Sequence, residues 1–301
     1  MKYNYNGTEI ELRDTLCKLW NEEPGTMVPQ ANLYVRVTNT CNAHCKFCEY
    51  HGKQTEFNIE KFEKALEDLR DRGIVGKIQI TGGEPSTVAN LYDIVNLIRA
   101  YFPDRFIGIN SNGYDLLRLI EVKDLVDNFA ISRHHYDENV NSQIFDCNTV
   151  PLDNKLRVFI DIVGKDKIHF SCNLIKNYID NINEVKKYLD WVSSIGGNDV
   201  GFVTLMDIND FCKENQILFD NIGLENSYGI YKYREYTKCD NCCKCANYMY
   251  HCRETNQIVD IYGRFVINSS GSTGLISFDG QNLRAGFNGE IISKHYLKDN
   301  K

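Results

Sequence analysis

Apolar and polar positions alternate through Leu33-Tyr34-Val35-Arg36-Val37-Thr38, and the segment is rich in β-forming side chains, so it predicts a strand. The period then lengthens. Ile59, Phe62, Leu66 and Leu69 share one face of a predicted helix that Asn58 caps and Gly73 ends. A strand at residues 77–81 and a helix carrying Leu91, Ile94, Val95 and Ile98 repeat that order. Strands at 106–110, 129–132, 168–174 and 199–205 follow. Helices separate them at 115–126, 139–145, 154–163 and around Val185, Tyr188, Leu189 and Val192. Beyond residue 211 the periodicity weakens and tyrosines accumulate. Strands resume at 257–267, 275–278 and 283–292, with turns at 268–272 and at Asp279-Gly280.

Six strands alternating with helices predict an α/β fold on a parallel sheet with right-handed crossovers. Six such units suit an open, partial (β/α)6 barrel, with a small cysteine-bearing β cap behind it. The cap is expected over the open side of the barrel, where apolar surface would otherwise be exposed. Functional groups of such folds gather at the carboxyl ends of the strands. Here those ends carry Cys41 to Cys48, Gly82-Gly83-Glu84-Pro85, Ser111-Asn112-Gly113, Arg133-His134-His135 and Asn173. In the cap, Tyr262 and Arg264 read as ordinary exposed strand residues.

Composition narrows the classes. The 301 residues, 43% of them hydrophobic, suffice for a sizeable core. Against 34 basic residues stand 41 acidic ones, a net charge of −7, which argues against general nucleic-acid or anionic-membrane binding. No apolar stretch approaches the roughly 20 residues of a membrane span. The polar start Met1-Lys2-Tyr3-Asn4-Tyr5-Asn6 lacks the apolar segment of a secretory signal, so a cytoplasmic protein is expected. Disulfides are rare there, so the 12 cysteines need another explanation. Cys17, Cys147, Cys172 and Cys212 are scattered and read as packed thiols. The others form two groups, Cys41/Cys45/Cys48 and Cys239/Cys242/Cys243/Cys245 with Cys252 just beyond. Such spacing points to iron–sulfur or metal ligation. Zinc competes at the first group, where His44 or His51 would complete four ligands, and at the second as a stiffening knot.

Cys41-x3-Cys45-x2-Cys48 after the first predicted barrel strand, with Phe47 before the last cysteine, resembles the signature loop of the radical S-adenosylmethionine (SAM) superfamily. Thr81-Gly82-Gly83-Glu84-Pro85 after the second strand resembles its second signature, and the likeness covers roughly residues 32–210. It implies a 4Fe–4S cluster on Cys41, Cys45 and Cys48, with one iron left for the amino and carboxylate groups of SAM. Reduction would then release a 5′-deoxyadenosyl radical that takes a substrate hydrogen. The resemblance carries further roles. Phe47 would lie near adenine, Gly82 and Gly83 would allow close approach, and Glu84 would meet the SAM amino group. Ser132 would face the ribose, Arg133 and His134 the SAM carboxylate or the substrate, and Asn110, Asn112 and Asn173 the same rim. His44 reads as solvent-facing.

Given that barrel, the second group resembles an auxiliary iron–sulfur region of SPASM or Twitch type, as in the molybdenum-cofactor GTP cyclase, on Cys239, Cys242 and Cys245 with Cys243 or Cys252. Adjacent Cys242-Cys243 departs from the usual spacing. The resulting layout is an N-terminal extension at 1–31, a barrel at 32–210 and an auxiliary-cluster domain at 211–301. A flavodoxin or ferredoxin is the implied electron donor. The expected substrate is a small molecule or nucleotide; a ribosomal peptide is the alternative. A non-catalytic metal-binding or electron-transfer protein is the reading from another class.

Overall fold

The computed structural model describes residues 2–12, 30–48, 56–217, 230–236, 246–252, 257–263 and 274–293. Its first element is a hairpin of β1 (Lys2–Tyr5) and β2 (Thr8–Glu11), which turns at Asn6-Gly7 with positive φ at both residues. Asn-Gly is the pair that such two-residue turns demand. Tyr5 donates a hydrogen bond to Asp68, and the Arg72 guanidinium lies 4.2 Å over the Tyr5 ring. The N-terminal hairpin is therefore packed onto the body of the protein.

The body alternates strand and helix. β3 (Ala31–Arg36), α1 (Ile59–Arg72), β4 (Val75–Thr81), α2 (Leu91–Tyr101) and β5 (Ile107–Ser111) come first. α3 (Leu116–Glu121), β6 (Asn128–Ser132), α4 (Glu138–Phe145), α5 (Asp153–Val163), β7 (Ile168–Leu174), α6 (Ile182–Ser194) and β8 (Asp199–Thr204) follow. The six strands β3 to β8 pair in chain order and all run parallel. Local chemistry sets the helix ends. Asn58 accepts the Lys61 N–H at the start of α1, and Gly73 closes it in the left-handed conformation.

One face of the sheet is apolar. Leu33, Val35, Ile78, Ile80, Ile107, Ile109, Phe129, Ile131, Phe170 and Phe202 are all buried. Ring contacts carry this face onto the helices, with Phe129 on Phe159 of α5 and Phe202 on Tyr188 of α6. The alternate positions, which strand geometry turns to the other face, include Tyr34, Gln79, Gly108, Asn110, Ser132 and Asn173, with the charged or ionisable Arg36, Lys77, His169 and Asp199 among them. Parallel sheets are ordinarily apolar on both faces. A polar and small-residue second face is one built to meet a polar occupant.

Three differences from the sequence expectation stand out. The predicted helix at 115–126 stops at Glu121, and its continuation holds only short-range bonds such as Val122 N–H to Leu119 O and Leu125 N–H to Val122 O. α7 (Asp210–Asn215), capped by Asn209, and the strands β9 (Ile230–Tyr236) and β10 (Ala246–Cys252) were not foreseen. The C-terminal strands also do not stack over the barrel; they extend the sheet. β11 (Gln257–Gly263) pairs parallel with β8 and carries β10 and β9 beyond it. β12 (Leu275–Phe278) pairs parallel with β3, and β13 (Leu283–Ala285) pairs with β12. The unpaired N–H and C=O groups of the outer strands are what recruit them. Among the described residues no helix is long and apolar enough to cross a membrane.

Phe278 shows how firmly the last segment belongs to the core: it is 1% exposed and its ring lies 4.9 Å from that of Phe62. Phe278→Ala is expected to lower unfolding free energy by about 3–5 kcal/mol in urea titrations, against less than about 0.5 kcal/mol for the exposed Leu117→Ala.

Candidate active site

The site starts from two glycines. Gly82 takes a φ of 146°, and a Cβ there would fall against the Thr38 carbonyl oxygen. A Cβ on Gly83 would fall against the Thr40 carbonyl oxygen. With no side chain at either position, the loop after β3 lies directly on the segment after β4. Gly83 N–H donates to Thr38 O and Glu84 N–H to Thr40 O, both at 2.8 Å. Cys41 follows immediately on this platform.

Two other elements grip the loop. His44 N–H donates to Phe145 O at the end of α4, and the Cys45 thiol contacts the same carbonyl. Asn209, the cap of α7, donates its side-chain amide to Lys46 O, and Cys212 contacts Phe47 O. Cys45 is buried with Ala43, Phe145 and Val150, while Cys41, Phe47, Cys48 and Cys147 pack half-buried on that patch. His44 is exposed, as expected.

These thiols sit badly as free groups. Burial raises the Cys41 thiol, and Glu84, Cys48 and Cys147 push it further. Burial with the neighbouring Cys48 and Cys41 pushes Cys45 up to about 12. Cys48 thus acts on both Cys41 and Cys45, and the two thiols stay protonated unless a cationic centre draws out their thiolates. Among the described residues no three Cys, His, Asp or Glu side chains close on a single ion. Three cysteine thiolates would fill three of the four iron corners of a cubane, the donor set that a 4Fe–4S cluster takes.

Glu84 also has partners that the sequence did not foresee. Its carboxylate is 1% exposed and accepts from Ser86 N–H (2.9 Å), the Ser111 hydroxyl (2.6 Å) and Asn112 N–H (2.6 Å). Burial raises its pKa against these three donors. Oε1 takes two of these donors and Oε2 one, and Glu84 thereby ties the rim loop after β4 to the one after β5. Asn112 passes the tie on: its amide donates to Asn42 Oδ1 at 2.9 Å. Asn42 in turn donates to Thr149 Oγ1 and to the Cys147 thiol.

Arg133 departs from expectation. Its side chain is buried away from the rim, donating to His135 O, Pro151 O and Asp153 (each 3.0 Å) with its guanidinium 5.0 Å from the Trp191 ring. These three bonds serve the junction of β6, α5 and α6. His134 does face the cysteine loop, edge-on to Phe47 at 5.0 Å and stacked on Phe145 at 4.8 Å. Asn173 N–H donates to its Nδ1, which leaves the proton on Nε2. Burial, then Arg133, lowers its pKa to about 3, so the ring is neutral at physiological pH.

Ser132 and Asn173 stand half-buried at the ends of β6 and β7, on the polar face with Ser171. Asn110 accepts from Gln79 on the same face. A shallow cleft of about 410 Å³ beside Cys41 and Asn42 is lined by Ser86, Thr87, Tyr114 and Arg118. Cys172 and Cys212 are buried packing residues, as read from sequence. Cys147 and Thr149 were not foreseen as rim residues; they meet the loop because α4 ends beside it. Cys239, Cys242, Cys243 and Cys245 lie outside the described residues, as do Cys17, His51 and Arg264. Cys252 ends β10 opposite Gln257, and Tyr262 stands in β11 opposite Val203.

Two substitutions test this construction. Gly83→Ala forces the Thr40 backbone away, so reconstituted protein is expected to hold less than half the iron of wild type by colorimetric assay. Glu84→Gln turns an N–H2 toward N–H and O–H donors and is expected to cost about 2–3 kcal/mol in thermal or urea unfolding.

Comparison with known proteins agrees with this geometry. The family described as the Radical SAM superfamily matches residues 35–197, more than half of the chain. A probable GTP 3′,8-cyclase of Thermoplasma volcanium is 32% identical over 126 residues, covering 40% of this chain and 38% of that protein. A putative glycyl-radical enzyme activating enzyme of Methanocaldococcus jannaschii is 24% identical over 165 residues, covering 52% and 62%. The chain therefore spans less than two thirds of the length of either relative. Among solved structures, a radical SAM methyltransferase from Sphaerobacter thermophilus shares the fold at a TM-score of 0.52 and 14% identity, over 85% of this chain and 70% of that one. With the signature loop, the Gly-Gly-Glu-Pro platform and the parallel sheet beneath them, the chain belongs to the Radical SAM superfamily and is an enzyme of that class, with a 4Fe–4S cluster and SAM as its cofactors.

Proposed function

We propose that Cys41, Cys45 and Cys48 hold the 4Fe–4S cluster through three of its irons, and that SAM lies across the rim formed by Phe47, Gly82, Gly83, Asn112, Ser132 and Asn173. When bound and reduced, the cluster supplies an electron that cleaves the sulfonium and yields a 5′-deoxyadenosyl radical for hydrogen abstraction from substrate. The protein's own part is orientation and exclusion. The observation that carries this reading is the seating of the cysteine loop on Gly82-Gly83, which sets all three thiols at the carboxyl ends of β3 and β4. Ala43, Phe145 and Val150 shield the buried side of the loop from water. Ser132 and Asn173 offer hydroxyl and amide groups on the open side. Neutral His134 holds the Phe47 ring without adding charge. Glu84 acts one step back, by holding Asn112 in place.

The substrate is a small molecule, of nucleotide kind. The polar face of the sheet supports this, and relatives named GTP 3′,8-cyclase support it independently. A low-potential flavodoxin or ferredoxin would deliver the electron. Cys239, Cys242 and Cys245, with Cys243 or Cys252, would hold an auxiliary iron–sulfur cluster.

Anaerobic protein reconstituted with iron and sulfide, then given dithionite and SAM, is expected to form 5′-deoxyadenosine, measured by chromatography. Cys41→Ala is expected to lower the yield at least a hundredfold; an unchanged yield sinks the assignment. In the triple alanine variant at Cys41, Cys45 and Cys48, a remainder of about four irons per chain supports the auxiliary cluster. Zinc alone in that variant removes it.

A further inference from the structure

On the polar face of the sheet, one tier below the cysteine loop, a pair of amides is left half-used. Gln79 of β4 donates through Nε2 to Asn110 Oδ1 of β5 at 2.9 Å. Its side chain lies across Gly108, the residue it faces in register: a Cβ there would stand 2.7 Å from Gln79 Oε1 and 3.0 Å from Nε2. The glycine is what lets the amide lie flat. Gln79 is 8% exposed, yet its Oε1 and the Asn110 amide nitrogen have no hydrogen-bond partner among the described residues. Beside the pair, Asn110 faces Ala130 in register, and half-buried Ala130 leaves room where a larger side chain would fill the face.

Two amides joined by one N–H···O bond leave one acceptor and one donor side by side. Inverting both amides exchanges the two roles but keeps the pair. Both free groups reach solvent rather than being sealed in, so a ligand edge of complementary pattern would replace water at two adjacent hydrogen bonds. The pair carries no charge, so the group it reads is neutral. It sits two residues before the end of β4, about 6–7 Å down the strand from the rim. A group held there lies beneath whatever occupies the rim.

We infer that Gln79 and Asn110 form a substrate subsite that reads the edge of a nucleobase, a ring edge with a hydrogen-bond donor beside an acceptor. The inference rests on the reading of the rim as the SAM site and adds the base-recognition element for the substrate below it. Gly108 is part of the device, because any side chain there displaces the Gln79 amide.

The test is equilibrium binding by anaerobic calorimetry. Guanosine, uridine, adenosine and their 5′-triphosphates are each compared with the derivative methylated at the edge N–H. At least one parent compound is expected to bind wild-type protein tenfold or more tightly than its methylated form. A site that pairs a ligand N–H strongly rejects analogues lacking it. Gln79→Met, which keeps the length of the side chain, is expected to shrink that ratio below twofold, and Gly108→Ala to do the same. SAM affinity is measured in parallel and is expected to match wild type in Gln79→Met, whose thermal unfolding midpoint reports that it is folded. Equal binding of parent and methylated forms, no binding of any parent at millimolar concentration, or a loss of SAM affinity in Gln79→Met overturns the assignment; the last would mean that the amides read SAM's own adenine. Formation of 5′-deoxyadenosine by wild type without substrate is scored separately, so failure of the cofactor reading is distinguishable from failure of the subsite.

Discussion

The active rim hangs on the contact of two backbones. Because Gly82 and Gly83 have no side chains, the loop after β3 rests on the segment after β4 through two 2.8 Å hydrogen bonds. That contact directs Glu84 inward, where its carboxylate collects donors from Ser86, Ser111 and Asn112. Asn112 then reaches Asn42, and Asn42 reaches Thr149 and Cys147. One run of hydrogen bonds therefore crosses four segments of the rim, and it begins where a methyl group would not fit. Fully satisfied buried polar networks of this kind favour a single arrangement, since each member is costly to leave unpaired.

A second buried network keeps the β6 side of the rim rigid. The Arg133 guanidinium is matched by two carbonyls, one carboxylate and an aromatic face, and Tyr188 donates to the Arg133 carbonyl. A charge this deep is tolerable only with such full pairing. The consequence is felt one residue on, at His134. Its backbone N–H is held by Asn141 and its ring by Asn173, Phe47 and Phe145. The result is a neutral, stationary ring against the cysteine loop.

Much of this was legible in the residues. The alternation of Leu33-Tyr34-Val35-Arg36, the Asn58 cap and the Gly73 stop describe β3 and α1 closely, and 168–174 is β7 as predicted. Cys41, Cys45 and Cys48 were readable because their ligand spacing is local in sequence. The inward turn of Glu84 and the burial of Arg133 were not, since their partners Ser111 and Asp153 lie 27 and 20 residues away. Periodicity does not encode such distances. The short hairpin at Asn6-Gly7 had a clear turn signal that four-residue strands made easy to pass over. The edge positions of β11 and β12 were hidden for another reason: a strand's own pattern does not say which edge it will join.

Those edge positions bear on the curvature of the whole sheet. β11 joins the β8 edge and β12 joins the β3 edge, and both run parallel to the strands they join. Were the sheet flat, the two would lie seven strand spacings apart, about 34 Å, and the chain would also have to return the length of a strand. The connection from Gly263 to Leu275 reaches about 40 Å at full extension, so a flat sheet would draw it almost taut. Chain length alone therefore limits how far apart the two edges of the sheet can stand.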